Sequence, residues 1–287
     1  MIWMSWRQHR PELLGFAALF LGVAAFFVLS APLGADSRTV YTAAQGLSRA
    51  VKFGEDLGTF QLLPMLVGVF AGAPLVAREL DRNTFRFAWT QGVSRAQWLR
   101  AKVLFVGGTV LLLAVLYSAV RAWWFAPYAA EAGWFKTYAQ GPVLPVTCLF
   151  TFGLGVLAGT VLRRTVPAMA VTLAGSVAVL VLLSIVRPYY MSPATAEQPV
   201  HAVGATADPS VTRGGWTLDT DYRDPTGGVH EDGYAWYPDR EPAPVQLIDY
   251  HPAERFWTFQ LVDGCVLLVL GIACLALAGW WLDRRLR

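Results

Sequence analysis

Hydrophobic residues along this chain fall into six long runs separated by shorter polar stretches. About 20 apolar residues cross a hydrocarbon core of ~30 Å, and runs of 18 or more with few charges are typical of membrane spans. Lipid offers no partners for backbone N–H and C=O groups, so each span is predicted to be a helix. The pattern predicts an all-α integral membrane protein with six transmembrane helices. The runs cover residues 13–33, 58–77, 103–126, 143–162, 166–186 and 257–282.

The polar stretches predict the domain organisation. Residues 1–186 form a membrane domain with spans one to five, and residues 257–287 hold the sixth span and a cytoplasmic tail. Between them, residues 187–256 contain nine prolines and show no 3.6-residue period, which predicts a largely irregular external lobe. Short strands, turns or disorder remain open there, although its Trp and Tyr residues favour some packing. The first span is too long for a cleavable signal peptide and is expected to stay as an anchor.

Charge predicts the orientation in the membrane. The chain is 55% hydrophobic and only 15% charged, against ~25% charged in a soluble domain. If both termini are cytoplasmic, the inner segments hold 13 of the 23 basic and four of the 20 acidic residues, a net charge of +9, while the outside carries −5. Basic residues favour the inner side. We therefore expect a multi-pass protein of the cell membrane with both termini in the cytoplasm. The inner segments are 1–12, 78–102, 163–164 and 283–287.

Local signals refine the second and third spans. Gly68 and Gly72 in the second span favour close approach of another helix, or the lining of a path. Ser94 and Gln97 form a Ser-x-x-Gln capping box, which predicts that the third helix begins at Arg95 and projects into the cytoplasm.

Motifs for enzymatic chemistry are absent from the sequence. There is no Walker A pattern, so the chain is not expected to hydrolyse nucleotide, and the G-x-S-x-G and H-E-x-x-H hydrolase signatures are also missing. We expect no catalytic residue, cofactor or metal site on this chain, and no nucleic-acid binding. The cysteines at 148, 265 and 274 all lie inside spans, where small packed side chains are the expected interpretation.

Two charges lie inside spans. Arg121 is near the outer end of the third span, and Asp263 is about two turns into the sixth. Ionisable groups in spans are costly and suggest function. They could pair with each other, or Arg121 could reach the interface beside aromatic residues. Gln260 lies on the same helix face as Asp263, and the two are predicted to contribute to a translocation path, with simple packing as the alternative.

The stretch after the second span contains, in order, Arg78-Glu79, Thr84, Thr90, Ser94-Arg95 and Lys102. It resembles the corresponding segment of permease subunits of ABC-2 type ABC transporters. Those chains have six helices and approximate R-E-x-x-x-G-T, then T-x-x-x-S-R, then a Lys entering the third helix. This chain departs at Asn83, where the family often has Gly, and Asn also tolerates unusual backbone angles. Residues 6–10 and 250–257 resemble actinobacterial members of that family.

The resemblance implies partners and a mechanism. A second permease copy or a paralogue would complete a two-fold assembly in membrane lipid. Separate ABC ATPase subunits, which carry ATP and magnesium, would bind the coupling loop 78–95 and drive alternating access for export. The residues that the resemblance places at the ATPase contact are Arg78, Glu79, Arg82, Thr84, Phe87 and Trp89.

Other functions remain as alternatives at this point. A membrane-embedded scaffold or sensor would need no ATPase. A lipid-modifying protein acting through the external lobe would need a nucleophile or metal constellation, which the sequence does not display.

Overall fold

The computed structural model describes most of the hydrophobic part of the chain. Within the described residues, six helices are long and apolar enough to cross a membrane. The predicted all-α membrane fold is therefore confirmed. The described residues are 2–30, 62–81, 94–126, 141–199, 212, 214–224, 226–230 and 245–285.

Four of the six helices are regular. These are α1 (Ile2–Ser30), α4 (Val143–Leu162), α5 (Thr165–Val186) and α6 (Phe256–Arg285). Short 3₁₀ turns at Arg187–Tyr189 and Ala253–Arg255 follow α5 and precede α6.

The other two helices each contain a π-helical turn. Such turns insert an extra residue into the hydrogen-bond ladder and occur frequently at functional sites. Helix α2 consists of Leu62–Val67, the π turn Gly68–Gly72 and Ala73–Asp81. Helix α3 consists of Arg95–Lys102, the π turn Val103–Gly107 and Gly108–Phe125.

The chain divides into two compact units. The membrane unit comprises Met1–Trp124, Ala139–Ser184 and Gln260–Arg287. The lobe unit comprises Phe125–Tyr138 and Ile185–Phe259.

Helix α4 is the most buried helix among those described in the membrane unit. In its most apolar stretch 78% is buried, and glycines bring its backbone against α2. A methyl group added at Gly72 would lie 2.5 Å from the carbonyl oxygen of Phe152. One added at Gly155 would lie 2.6 Å from the amide nitrogen of Ala73. The expected close approach at the glycines of the second span is therefore present, because no larger side chain fits between these backbones.

The turn between α4 and α5 is short. Arg163 adopts a left-handed conformation, with φ of 57°, and its amide donates to the carbonyl oxygen of Gly159 at 3.1 Å. This bond satisfies a carbonyl at the end of α4 and lets α5 start at Thr165. The arginine pair therefore forms a short turn between the two helices.

Aromatic side chains join α1 to α3. Phe20 meets Tyr117 edge-on with ring centroids 6.0 Å apart, and Phe27 meets Trp124 at 5.1 Å. All four side chains are buried. These pairs fix the two helices at two levels, separated by about two turns of α1.

The described part of the lobe unit is more regular than predicted. It contains β1 (Ala194–Pro199), β2 (Trp216–Arg223), β3 (Val229–His230) and β4 (Val245–His251). They form one antiparallel sheet in the order β1-β4-β2-β3. Long-range pairing between the first and last of these strands leaves little local signal, which explains why the sequence predicted a largely irregular lobe.

Candidate coupling and translocation site

The start of α3 is fixed by its own side chains. Ser94 Oγ accepts a hydrogen bond from the amide of Gln97 at 3.2 Å, and Gln97 Oε1 accepts one from the amide of Ser94 at 3.4 Å. The predicted capping box is confirmed. It satisfies two amide groups that a helix otherwise leaves without partners at its N-terminus.

A buried ion pair joins α2 to α3. Glu79 in the last turns of α2 binds the ammonium group of Lys102, and the two side chains are only 15% and 4% exposed. The ammonium group also lies 4.7 Å from the centre of the Trp98 ring. The attraction between the two charges is stronger where little water screens it. Removing Glu79 would leave the buried ammonium group uncompensated.

A second, more exposed ion pair joins α2 to α1. Arg78 binds the carboxylate of Glu12, and the arginine side chain is 49% exposed. Water and salt screen such a pair, so it contributes less than its buried neighbour. Adjacent residues of α2 thus reach two different helices.

The predicted coupling residues divide into two groups. Arg78 and Glu79 lie in the described part of α2, where both form ion pairs within the chain. Whether they also touch an ATPase stays a prediction. The remaining residues of this group lie outside the described residues: Arg82, Thr84, Phe87 and Trp89.

Gln260 has a structural partner. Its side-chain oxygen accepts a hydrogen bond from the backbone amide of Val143 at 2.9 Å, and the residue is buried. The bond satisfies an amide at the N-terminus of α4. Gln260 therefore ties α6 to the beginning of α4.

Asp263 is buried in the membrane unit, one helical turn from Gln260. Only 1% of the surface of this residue is exposed. Burial keeps this carboxylate away from lipid, where its exposure would be costly. A role in translocation stays a prediction.

Arg121 is also buried, and aromatic rings surround its guanidinium group. The group lies 4.3 Å from the centre of the Phe27 ring and 5.2 Å from that of Trp124. Stacking on aromatic faces stabilises a desolvated arginine. The side chain is 4% exposed, so it packs inward between α1 and α3. Its pairing with Asp263 stays a prediction.

Two hydroxyl groups next to Arg121 were not anticipated from the sequence. The hydroxyls of Tyr117 and Ser118 are buried and have no hydrogen-bond partner among the described residues. Their spacing could have indicated them, because Tyr117 and Ser118 precede Arg121 by four and three positions and therefore share its helix face. Together these side chains place several polar groups in the interior of the membrane unit.

The lobe unit buries a histidine at the end of β4. His251 Nε2 lies 3.0 Å from the carbonyl oxygen of Pro188, which can only accept, so this nitrogen carries the proton. Nδ1 then accepts from Arg255 at 3.0 Å. Burial lowers the pKa of His251, and the charge of Arg255 lowers it further, against the opposing effect of the Pro188 carbonyl. The imidazole is therefore neutral near pH 7.

Among the described residues, no group of three or more His, Cys, Asp or Glu side chains is placed to hold a metal ion. Cys148, Cys265 and Cys274 are free thiols.

Six long apolar helices, with ion pairs tying three of them together, define a multi-pass helical membrane protein. Residues 17–187, more than half of the chain, match the protein family described as ABC-2 membrane transporter related, and the chain belongs to that family. It is thus a membrane-spanning permease of the ABC transporter class, whose members work with ABC ATPases. Comparison with curated proteins and with solved structures found no match.

Proposed function

We propose that this chain is the permease subunit of an ATP-driven exporter. It moves its substrate by alternating access and is driven by separate ABC ATPase subunits, which bind ATP and magnesium. A second permease, either another copy or a paralogue, completes the path through the cell membrane. The family match over residues 17–187 carries this proposal, because it includes α2, α3 and the segment between them.

Co-purification and transport test this proposal directly. The chain is produced together with candidate ABC ATPase subunits and reconstituted into lipid vesicles. We expect a stable complex whose ATP hydrolysis is stimulated by its substrate and accompanies ATP-dependent transport. A chain that binds no ATPase would favour a scaffold or sensor, and uptake in place of export would reverse the proposed direction.

The ATPase contact lies in residues 78–95 under this proposal. An aromatic side chain in an apolar contact does not tolerate a carboxylate, because the unpaired charge costs several kcal/mol when buried. Phe87→Asp is therefore expected to reduce ATPase binding at least tenfold while membrane insertion stays normal. Arg100→Asp, at an exposed position of α3, is the control. Phe70→Asp is not used, because it would place a charge within a span. Unchanged co-purification of the Phe87 variant would remove the contact from this segment.

The proposed orientation places both termini in the cytoplasm and the lobe outside. In a chain lacking the native cysteines, Thr220→Cys in the lobe is expected to react with a membrane-impermeant maleimide in sealed cells. Thr90→Cys is expected to react only after the membrane is opened. The opposite pattern would invert the topology and remove the argument for an ATPase contact at residues 78–95.

The translocation path includes Asp263 under this proposal, supported by its burial within a span. Asp263→Asn keeps the shape of the side chain and removes its charge. We expect transport to fall at least tenfold with expression near normal. Asp283→Asn, at an exposed position of the same helix, is the matched control. Unchanged transport in the Asp263 variant would assign this carboxylate to packing alone.

A further inference from the structure

We propose that the Glu79–Lys102 ion pair keeps α2 and α3 together as one rigid body throughout the transport cycle, with Lys102 as a positioning residue. The inference rests on the proposed permease function and adds to it a specific transmission route. Motion delivered to the segment 82–93 then reaches both helices at once.

The burial of the pair supports a persistent contact. The side chains of Glu79 and Lys102 are 15% and 4% exposed, and Trp98 lies beside the ammonium group. Moving the helices apart here would leave the buried ammonium group of Lys102 without a counter-ion. Such uncompensated charges are strongly destabilising. Separating Glu12 from Arg78 would not leave a buried charge uncompensated, because the arginine is half exposed and water can replace the carboxylate.

The position of the pair gives it a role in transmission. Glu79 is three residues before the segment 82–93, and Lys102 is about two helical turns after the Ser94 cap. One ion pair therefore fixes both ends of that segment relative to each other. A partner that pushes on the segment cannot move α2 without α3.

The route continues into the centre of the membrane unit. Helix α2 lies in backbone contact with α4, where Gly72 and Gly155 leave no room for a methyl group. Packed backbones transmit displacement because they have little freedom to deform. Glu79, Lys102 and these glycines thus connect the segment 82–93 to the most buried helix of those described.

Charge exchange tests the pair in the complex with the ATPase. Lys102→Met is expected to reduce ATP-dependent transport at least tenfold while ATPase binding stays within twofold. Glu79→Gln is expected to reduce transport by a similar factor. The exchange Glu79→Lys with Lys102→Glu is expected to recover at least half of the activity, and Lys102→Arg to keep most of it. Arg100→Gln, exposed two residues away, is the control. Normal transport in the single variants, or no recovery in the exchange, would overturn the proposal.

A reversible cross-link tests rigidity. Glu79→Cys with Lys102→Cys is made in a chain lacking the native cysteines and is treated with a bifunctional methanethiosulfonate. Transport is expected to be impaired before cross-linking, restored to within twofold by the link, and lost again on reduction. A link that abolishes the remaining transport would show that the helices must separate. Full activity before cross-linking would show that transport needs no connection between α2 and α3 at these two positions.

Thermal unfolding of the chain alone separates this inference from the permease proposal. Either single charge removal is expected to lower Tm by about 10 °C, and the exchange to recover part of it. This measurement needs no ATPase, so it remains informative even if the wild-type chain shows no ATP-dependent transport. A lowered Tm with normal transport would make the pair structural only and would overturn its role in transmission.

Discussion

Helices α4 and α5 are neighbours in the chain and of similar length, yet they are buried to very different extents. In their most apolar stretches, 78% of α4 but only 22% of α5 is buried, although α5 has the higher mean hydropathy, 2.5 against 1.8. Hydropathy therefore does not determine which helix forms the centre of the unit. In lipid, a bulky apolar side chain gains little by leaving the membrane for the protein interior.

Side-chain size explains the difference better. Helix α4 carries glycines where it meets α2 and α6, including Gly155 and Gly153. Helix α5 presents large apolar side chains to its surroundings, such as Val166, Leu182 and Ile185. Small residues let backbones approach, and dispersion then acts over many atom pairs. Three pairs of substitutions test whether this contrast holds.

The largest effect is expected at the glycines. Gly155→Ala places a methyl group against the backbone of α2, which cannot move aside as a side chain can. We expect a loss above the ~3 kcal/mol at the upper end of ordinary overpacking. Gly175→Ala on α5 meets only the side-chain end of Leu154 at 3.1 Å and should cost under ~1 kcal/mol. Thermal unfolding in detergent measures both, and equal losses would contradict the contrast.

A smaller effect is expected from truncated leucines. Leu144 on α4 is fully buried, whereas Leu182 on α5 is 60% exposed. Leu144→Ala leaves a cavity and should cost about 2 kcal/mol, towards the lower end of the range because lipid is as apolar as the side chain. Leu182→Ala should change stability by under ~0.5 kcal/mol. If the exposed site proves the more sensitive one, α5 has a protein partner on that face.

The smallest effect is expected from two hydroxyl groups. Thr151 Oγ donates to the carbonyl oxygen of Pro64 on α2 at 2.6 Å, while Thr172 Oγ donates to Ala168 within α5 at 2.7 Å. Thr151→Val removes a bond between helices and should cost about 0.6–1.7 kcal/mol. Thr172→Val removes only a local bond and should be nearly neutral. A chemical-denaturation series with both variants would show the difference, and its absence would mean that the bond between helices adds nothing.

Features encoded locally could be predicted from the sequence. The six spans follow from hydrophobic run length, and the start of α3 follows from Ser94 and Gln97, which contact each other across three residues. The Arg163–Arg164 turn was predictable because almost no residues separate two spans. Gly68 and Gly72 were recognised as positions of close approach because they lie four residues apart in one span.

Features that depend on distant residues could not be predicted. The Glu12–Arg78 contact joins positions 66 residues apart, and the Gln260–Val143 bond joins positions 117 apart. No pattern in the chain indicates which of many charged or polar side chains will meet after the helices pack. The burial of Asp263 was predictable from its desolvation cost.

The pairing of β1 with β4 has a consequence for the length of the chain between α5 and α6. Ala194 lies opposite Tyr250, and Pro199 opposite Val245, across a single strand spacing of about 5 Å. The chain thus enters and leaves the sheet at adjacent points. Arg255, after β4, also donates a hydrogen bond to the carbonyl oxygen of Ser192, before β1, at 2.6 Å. Insertions between β1 and β4 that lie outside β2 and β3 therefore need not lengthen the connection between the two helices.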